Sequence, residues 1–440
     1  MKTFKKFLFG LMMLAIVVVF LMAWTAVPWQ GVVLLGVLLA VWMATTRRGR
    51  QTWQVTRVGL STLGQRLGSS SVVVVGIAGV VGVLVAMLAM SEGFATTLRA
   101  TGSDRTAIVL RGGSQAELNS ILGRDSANVV MQAPGVKKGP EGRPIASGEI
   151  VVVANLPVKG DPNSDANVPI RGVSDDVWAL RDQVKIVEGR RFKPGLRELI
   201  VGKGAKGQFA GLDVGKTIRL AGQTWTVVGT FASNDALDSE LWGDTQSVAS
   251  AYRRGSSVQS VTVLLDSPKA FDAFKANLAA DPRLKVDVST TQAYFSKQSE
   301  ALTKTLRIVG ITVGIIMAIG AVFGALNTMF AAIQARAREI ATLRAIGFRG
   351  LPVVVSVLLE TMLLALLGGV IGAGIVWLIF HNYSASTLGA NFSQVVFRFQ
   401  VSGELLWTGL KWALAIGFIG GLFPALRAAR VPVTTALREL

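Results

Sequence analysis

Ile308-Val-Gly-Ile-Thr-Val-Gly-Ile-Ile-Met-Ala-Ile-Gly-Ala-Val-Phe-Gly-Ala-Leu-Asn-Thr-Met-Phe330 carries no charge, and the chain then turns basic at Arg336, Arg338, Arg344 and Arg349. An apolar run of about 20 residues is long enough to cross a hydrocarbon core as a helix. Similar runs cover residues 69–90, 351–380 and 405–426. Residues 7–46 are also uncharged, broken by Trp24-Thr-Ala-Val-Pro-Trp29. Tryptophan favours the bilayer interface and Pro28 interrupts a helical ladder, so two short spans joined by a tight turn fit this stretch. A cleavable leader over residues 1–26 fits less well, because a second apolar run follows without a small-residue cleavage site.

Composition agrees with a membrane chain. Of 440 residues 51% are apolar and 16% charged, where a soluble domain carries about 25% charged residues. Mean hydropathy is +0.49. There is no cysteine, which excludes disulfides, thiolate nucleophiles and Cys-ligated metals, and the single histidine, His381, excludes a multi-His site. No metal ligands and no catalytic residues are expected.

The net charge of +18 invites a nucleic-acid reading, but its distribution argues otherwise. Residues 91–300 hold 26 basic and 23 acidic residues, so the excess lies elsewhere, beside the apolar runs. Cytoplasmic loops of membrane proteins keep such an excess of Lys and Arg. Placing the clusters at 2–6, 47–66, 336–349 and 427–438 inside gives six spans, both termini cytoplasmic, and the near-neutral block 91–300 outside. No basic and aromatic platform for nucleic acid accompanies the charge. Within residues 51–68, Trp53, Val58, Leu60, Leu63 and Leu67 alternate with Arg57, Gln65 and Arg66. This predicts an amphipathic helix along the inner interface, against the alternative of a plain linker.

The outer block shows two β-α-β patterns. In the first, 107–111 reads as a strand, 115–122 as a helix and 128–132 as a strand. In the second, 259–265 is a strand, 267–278 a helix and 284–288 a strand. A Gly-rich insert at about 165–250, with strands at 216–220 and 224–228, separates them. Gly211-Leu-Asp-Val-Gly-Lys-Thr217 imitates a phosphate-binding loop, but three residues separate its first Gly from Gly-Lys where four are needed, and it leads into a strand. No ATP site of the chain's own is expected.

Three stretches carry a family resemblance. Asn327-Thr-Met-Phe-Ala-Ala-Ile-Gln-Ala-Arg-Ala-Arg-Glu-Ile-Ala-Thr-Leu-Arg-Ala-Ile-Gly-Phe-Arg349 is similar to the cytoplasmic loop of the MacB/FtsX-type (type VII) ABC transporter permeases. Gly421-Leu-Phe-Pro-Ala-Leu-Arg-Ala-Ala-Arg-Val-Pro-Val-Thr-Thr-Ala-Leu-Arg438 is similar to their C-terminal tail. Glu188-Gly-Arg-Arg-Phe192, Glu198-Leu-Ile-Val-Gly202 and Val214-Gly-Lys-Thr-Ile-Arg-Leu220 resemble the MacB-type periplasmic domain. The resemblance covers about 55–440. The usual layout has four spans, so the hairpin at 1–50 is an addition, and the fused ATPase of MacB is missing.

The resemblance implies an α-helical membrane protein with an extracytoplasmic α+β domain. The expected parts are a hairpin at 1–50, an interfacial helix and span at 51–90, the outer domain at 91–305 and a second membrane part at 306–440. The last contains a coupling loop at 331–350, in which Arg336, Arg338, Glu339, Ile340, Leu343, Arg344, Ile346 and Gly347 would meet a separate ATPase subunit. That subunit would hold the ATP and Mg. At helical spacing Ile340 and Leu343, with Phe330 or Ala337, form one face. Gly310, Gly314, Gly320 and Gly324 repeat at four-residue spacing and serve either a homodimer contact or packing within one subunit. Glu360 and Lys411 are charges set into spans. Interfacial placement, with Lys411 snorkelling, is favoured for them over an ion pair. His381 reads as an exposed loop residue.

The family further implies mechanotransmission in a bacterial inner membrane, exporting a periplasmic cargo through an adaptor and an outer-membrane duct. Regulation of cell-wall hydrolases, as in the FtsX branch, and lipoprotein extraction are the competing functions.

Overall fold

The computed structural model describes residues 23–24, 26–61, 64, 67–389 and 394–430. The first expected span and the C-terminal motif beyond Arg430 lie outside them. The chain divides into two units: 1–90, 306–382 and 400–440 form one, and 91–305 with 383–399 form the other.

Among the described residues four helices are long and apolar enough to cross a membrane: Ser70–Thr101, Thr291–Ala335, Gly350–Phe380 and Gly403–Arg430. A fifth candidate is the pair Trp29–Thr45 and Arg47–Ser61, bent by 103° at Thr46. The helix expected along the interface from 51 thus begins at Arg47. Against the protein it buries a face of small residues. Gly49, Thr52, Thr56 and Gly59 are buried, packing along Gly350–Phe380, while Trp53 and Val58 are exposed. Small residues win because they let two backbones approach closely.

The same device builds the bundle. A Cβ on Gly372 would lie 2.9 Å from Ala78 Cα, one on Gly369 2.7 Å from Ala413 Cβ, and one on Gly409 2.7 Å from Val85 Cγ2. Gly350–Phe380 therefore touches Leu67–Thr101 on one side and Gly403–Arg430 on another without room for larger side chains. Between two helices already in lipid, such packing supplies much of the attraction.

Lys411 does not snorkel. It is 8% exposed, and its Nζ donates to the Val27 carbonyl at 3.1 Å. Trp24 Nε1 donates in turn to the Lys411 carbonyl at 2.8 Å. The Trp24–Trp29 break is thus pinned to the bundle. The helix that follows, Trp29–Thr45, has no buried residue.

The second unit is built on one long sheet path shared by two subsheets. Strand Ala146–Val158 changes partner midway: Ala146–Glu149 pair with Ser260–Leu264, and Ile150–Val158 with Asp161–Val173. The first subsheet continues through Thr106–Arg111 to Val286–Thr290, all antiparallel. The second runs from Asp161–Val173 through Leu241–Asp244, Glu198–Gly202 and Gln223–Ala232 to Lys185–Gly189. A hairpin of Ser384–Leu388 and Gln394–Arg398, between two membrane helices in sequence, also belongs to this unit. Its Phe397 is buried edge-on against Phe94, centroids 5.7 Å apart.

Three predicted elements differ. Residues 115–122 contain only a single 3₁₀ turn, Glu117–Asn119. The predicted strand at 128–132 is the end of a helix, Arg124–Met131. Ala127 and Val130, three apart, both enter the core formed with Val261, Val263 and Phe274, and that packing overrides the β-preference of the Val129-Val130 pair. The strand expected at 284–288 is Val286–Thr290, and Leu284 serves the core from the turn before it. The phosphate-loop look-alike ends in strand Thr217–Leu220, paired antiparallel with Gln223–Ala232.

Where strand Ala146–Val158 changes partner, a charge cluster is buried. Arg171 is 2% exposed. Its guanidinium donates to Glu117 at 2.8 and 3.0 Å, to Glu149 at 2.7 Å and to Glu240 at 2.7 and 2.8 Å. Arg181 makes a two-pronged contact with Glu149 at 2.7 and 2.8 Å. Trp242 Nε1 donates to Glu240, and Ser260 Oγ to Glu117, both at 2.7 Å. Burial opposes charge on Glu149, but the two guanidiniums outweigh it and hold its carboxyl below the usual range. Removing one member of such a cluster leaves uncompensated buried charge, costing about 3–5 kcal/mol. Arg171→Met is therefore expected to speed amide exchange of Ile150–Val158 and Asp161–Val173 at least about a hundredfold (~3 kcal/mol). Unchanged exchange would show that the cluster does not hold the strands.

Asp235 behaves oppositely. It is 3% exposed and accepts from Ser233 Oγ at 2.6 Å and Leu237 N at 2.9 Å. Burial dominates and pushes its carboxyl up to about 6. The folded unit then holds a proton that the unfolded chain releases between about 4 and 6, so this residue's contribution falls as pH rises through that window, by roughly 3 kcal/mol. Asp235→Asn should flatten the loss of thermal stability between pH 4 and 6. An identical pH profile would contradict the assignment.

Candidate functional site

The loop at 331–350 folds as a separate short helix. Thr291–Ala335 ends, Arg336 leaves helical geometry, and Ala337–Ala345 forms the new helix. Its end is a Schellman cap: Phe348 N donates to the Leu343 carbonyl at 3.1 Å and Gly347 N to the Arg344 carbonyl at 3.2 Å. Gly347 has φ of +107° there, a conformation that favours glycine. The chain then enters Gly350–Phe380.

The inner face of this helix is Ala337, Ile340, Ala341 and Arg344, spaced i, i+3, i+4, i+7, against Ile333 and Ala428. Ile340 packs on a core of Met329, Ile333, Val353, Val357, Ala425 and Ala428. The expected face of Ile340 and Ala337 is thus present, but Ala341 completes it rather than Leu343, which is half-buried. Arg338, Glu339, Ile346 and Gly347 are exposed; Ile346 is 69% exposed, although large and apolar.

Arg336 is not on the open surface. Its Nη1 donates to Glu360 Oε2 at 2.9 Å, and the side chains are 12% and 6% exposed. Its Nε lies 3.6 Å from Glu339. Glu360 thus forms an ion pair, the reading disfavoured from the sequence. A helix of 31 residues spans ~46 Å against a core of ~30 Å. Glu360, a decade of residues in from Gly350, can therefore sit at the membrane edge. Gly59 of the interfacial helix covers the pair: a Cβ there would lie 3.2 Å from both Arg336 Nη2 and Glu360 Oε2. Sequence reasoning missed Gly59, Ala341 and Ala428. The one available signal was the unpaired acid in a span beside a basic loop.

The four spaced glycines divide. Cβ atoms on Gly310 and Gly314 would meet Met87 at 2.9 Å and Leu84 at 3.1 Å, so these two serve packing within the subunit. Gly320 and Gly324 have open space. Among the described residues no group of three His, Cys, Asp or Glu side chains could hold a metal.

Glu360→Gln keeps the shape but removes the charge, and a charged hydrogen bond is worth about 1.5–3 kcal/mol. Exchange of the Ala337–Ala345 amides is expected to rise about tenfold or more in full-length protein. Gly59→Val, which crowds the same pair, should act in the same direction. Exchange unchanged in both variants would show that the pair does not hold the helix.

Two family models match the chain: the MacB-like periplasmic core domain over residues 70–281 and the FtsX-like permease C-terminal domain over residues 311–433. Together they cover well over half of it. The macrolide export ATP-binding/permease protein MacB of Neisseria gonorrhoeae is 23% identical over 301 residues, 63% of this chain and 44% of that protein. The MacB of Hahella chejuensis is 28% identical over 302 residues, with the same coverage. The chain thus spans less than half the length of these relatives. Among solved structures, the periplasmic region of MacB from Actinobacillus actinomycetemcomitans aligns with a TM-score of 0.35 at 15% identity, covering 46% of this chain and 96% of that one. The extracellular domain of the noncanonic ABC-type transporter YknZ from Gram-positive bacteria aligns with a TM-score of 0.32 at 17% identity, covering 42% and 100%. With both domains matched in order, and the loop at 331–350 inside the second, the chain belongs to the MacB/FtsX-type permeases.

Proposed function

We propose that this chain is the membrane subunit of an ATP-driven ABC transporter of the bacterial inner membrane, working by mechanotransmission with a separate ATPase. The observation that carries this reading is the two-sided build of Ala337–Ala345. Its inner face and Arg336 are anchored in the bundle, while Arg338, Glu339 and Ile346 are exposed. An exposed apolar residue on a surface that also exposes charges of both signs suits a cleft in a soluble partner, with burial for affinity and charge for register. Motion of the ATPase would enter at that surface and pass to Gly350–Phe380 through Arg336 and Glu360. The chain leaves the first unit inside two uninterrupted helices, Leu67–Thr101 and Thr291–Ala335, which supports transmission toward residues 91–305. ATP and Mg would be held by the ATPase, the cargo would be moved outside the bilayer through an adaptor and duct, and the working unit would be a homodimer.

A mild-detergent pull-down of the tagged chain, read by mass spectrometry, tests this. An ABC ATPase should be recovered with the wild type. Recovery should drop at least about tenfold with Arg338→Glu combined with Glu339→Arg, as losing a short-range charge pair at an interface costs ~1.5 kcal/mol or more. Export or ATPase stimulation unaffected by the double variant would overturn the coupling role. Absence of any ATPase from the wild-type eluate would overturn the transporter reading.

A further inference from the structure

The helix Arg47–Ser61 carries Arg47, Arg48, Arg50 and Arg57 and no acidic residue. All four arginines are exposed. Among the described residues none of them has an ion-pair partner within the chain. The buried face offers no counter-charge either: it consists of Gly49, Thr52, Thr56 and Gly59. The two threonine hydroxyls already donate to carbonyls of their own helix, Thr52 to Arg48 at 2.9 Å and Thr56 to Thr52 at 2.8 Å. Nothing among the described residues neutralises the arginines.

The geometry says what does. The preceding helix Trp29–Thr45 is uncharged and has no buried residue. Such a helix is at home only in lipid. The arginine helix turns from its end by 103°, so where the first runs through a bilayer the second runs along its surface. Trp53, 54% exposed, lies within one turn of both Arg50 and Arg57. Tryptophan settles at the headgroup level, and guanidinium matches phosphate with paired hydrogen bonds. A soluble acidic partner would not explain the perpendicular turn at the end of a lipid-facing helix.

We propose that Arg47–Ser61 is a docking surface for anionic phospholipid headgroups of the adjoining leaflet. Gly59, at the far end of the same helix, covers the Arg336–Glu360 pair. The lipid-binding claim does not depend on there being an ATPase, and its test uses none.

The test is native mass spectrometry of the full chain in detergent micelles doped with equal amounts of phosphatidylglycerol and phosphatidylcholine. The wild type should retain phosphatidylglycerol preferentially, and the preference should decline as salt is raised. With Arg48→Gln, Arg50→Gln and Arg57→Gln combined, the enrichment should fall at least about tenfold, since each basic residue at an anionic surface contributes ~1 kcal/mol. The same three positions changed to lysine should keep most of it. Amide protection over 52–59 confirms that the variants are folded. The wild-type salt series stands alone if they are not. No lipid preference in the wild type, or full retention by the glutamine variant, overturns the proposal. So does displacement of the lipid by inorganic phosphate at comparable concentration, which would mark a phosphate site instead.

Discussion

The membrane unit depends on one ion pair at its basic end. Arg336 and Glu360 belong to helices separated by the loop at 331–350, and each would be costly to leave alone at such low exposure. Paired, they fix three elements at once. Arg336 sits at the joint where Thr291–Ala335 gives way to the short helix, Glu360 belongs to Gly350–Phe380, and Gly59 brings the interfacial helix against both. The pair need not add much net stability over an apolar substitute. Its value is in register, because the contact forms only where these helices meet in this alignment.

The two units of the chain solve the packing problem differently. In the bundle, lipid is as apolar as the side chains, so specificity comes from shape. Gly369, Gly372 and Gly409 permit backbone approaches that larger residues forbid. In the outer unit water supplies a hydrophobic driving force, and three apolar clusters form around the sheet. Specificity there comes from the Arg171 cluster. It joins residues from both subsheets, with Glu149 on the strand they share and Glu240 and Ser260 on opposite sides of the partner change.

Much of this was legible in the sequence. Long uncharged runs and basic flanks located the membrane helices, because length and charge asymmetry are properties of the chain itself. In the loop at 331–350 the inward direction of Ile340 was legible through helical spacing. Other features were not. Val129 and Val130 read as strand until a core demanded a helix there. The apolar pattern over 51–68 pointed to the residues that stay outward, Trp53 and Val58, but gave no sign that Gly49, Thr52, Thr56 and Gly59 would pack against Gly350–Phe380. Ion pairs between residues such as Arg171 and Glu117, 54 positions apart, have no local signature. The same holds for Lys411 reaching back to Val27.

The outer sheet also sets an order of events during synthesis. Thr106–Arg111 emerges early, yet its two neighbours are Ser260–Leu264 and Val286–Thr290. Until those strands arrive, both of its edges offer unpaired backbone groups, the kind of surface that templates wrong pairings. The hairpin at 384–398 arrives later still, after two more membrane helices have been made. The outer unit can therefore close only once most of the chain has been translated and inserted. Its folding is tied to synthesis of the two membrane helices that precede the hairpin, and a chain truncated before Thr290 would leave the translocation machinery with an open-edged sheet for proteases and chaperones to meet.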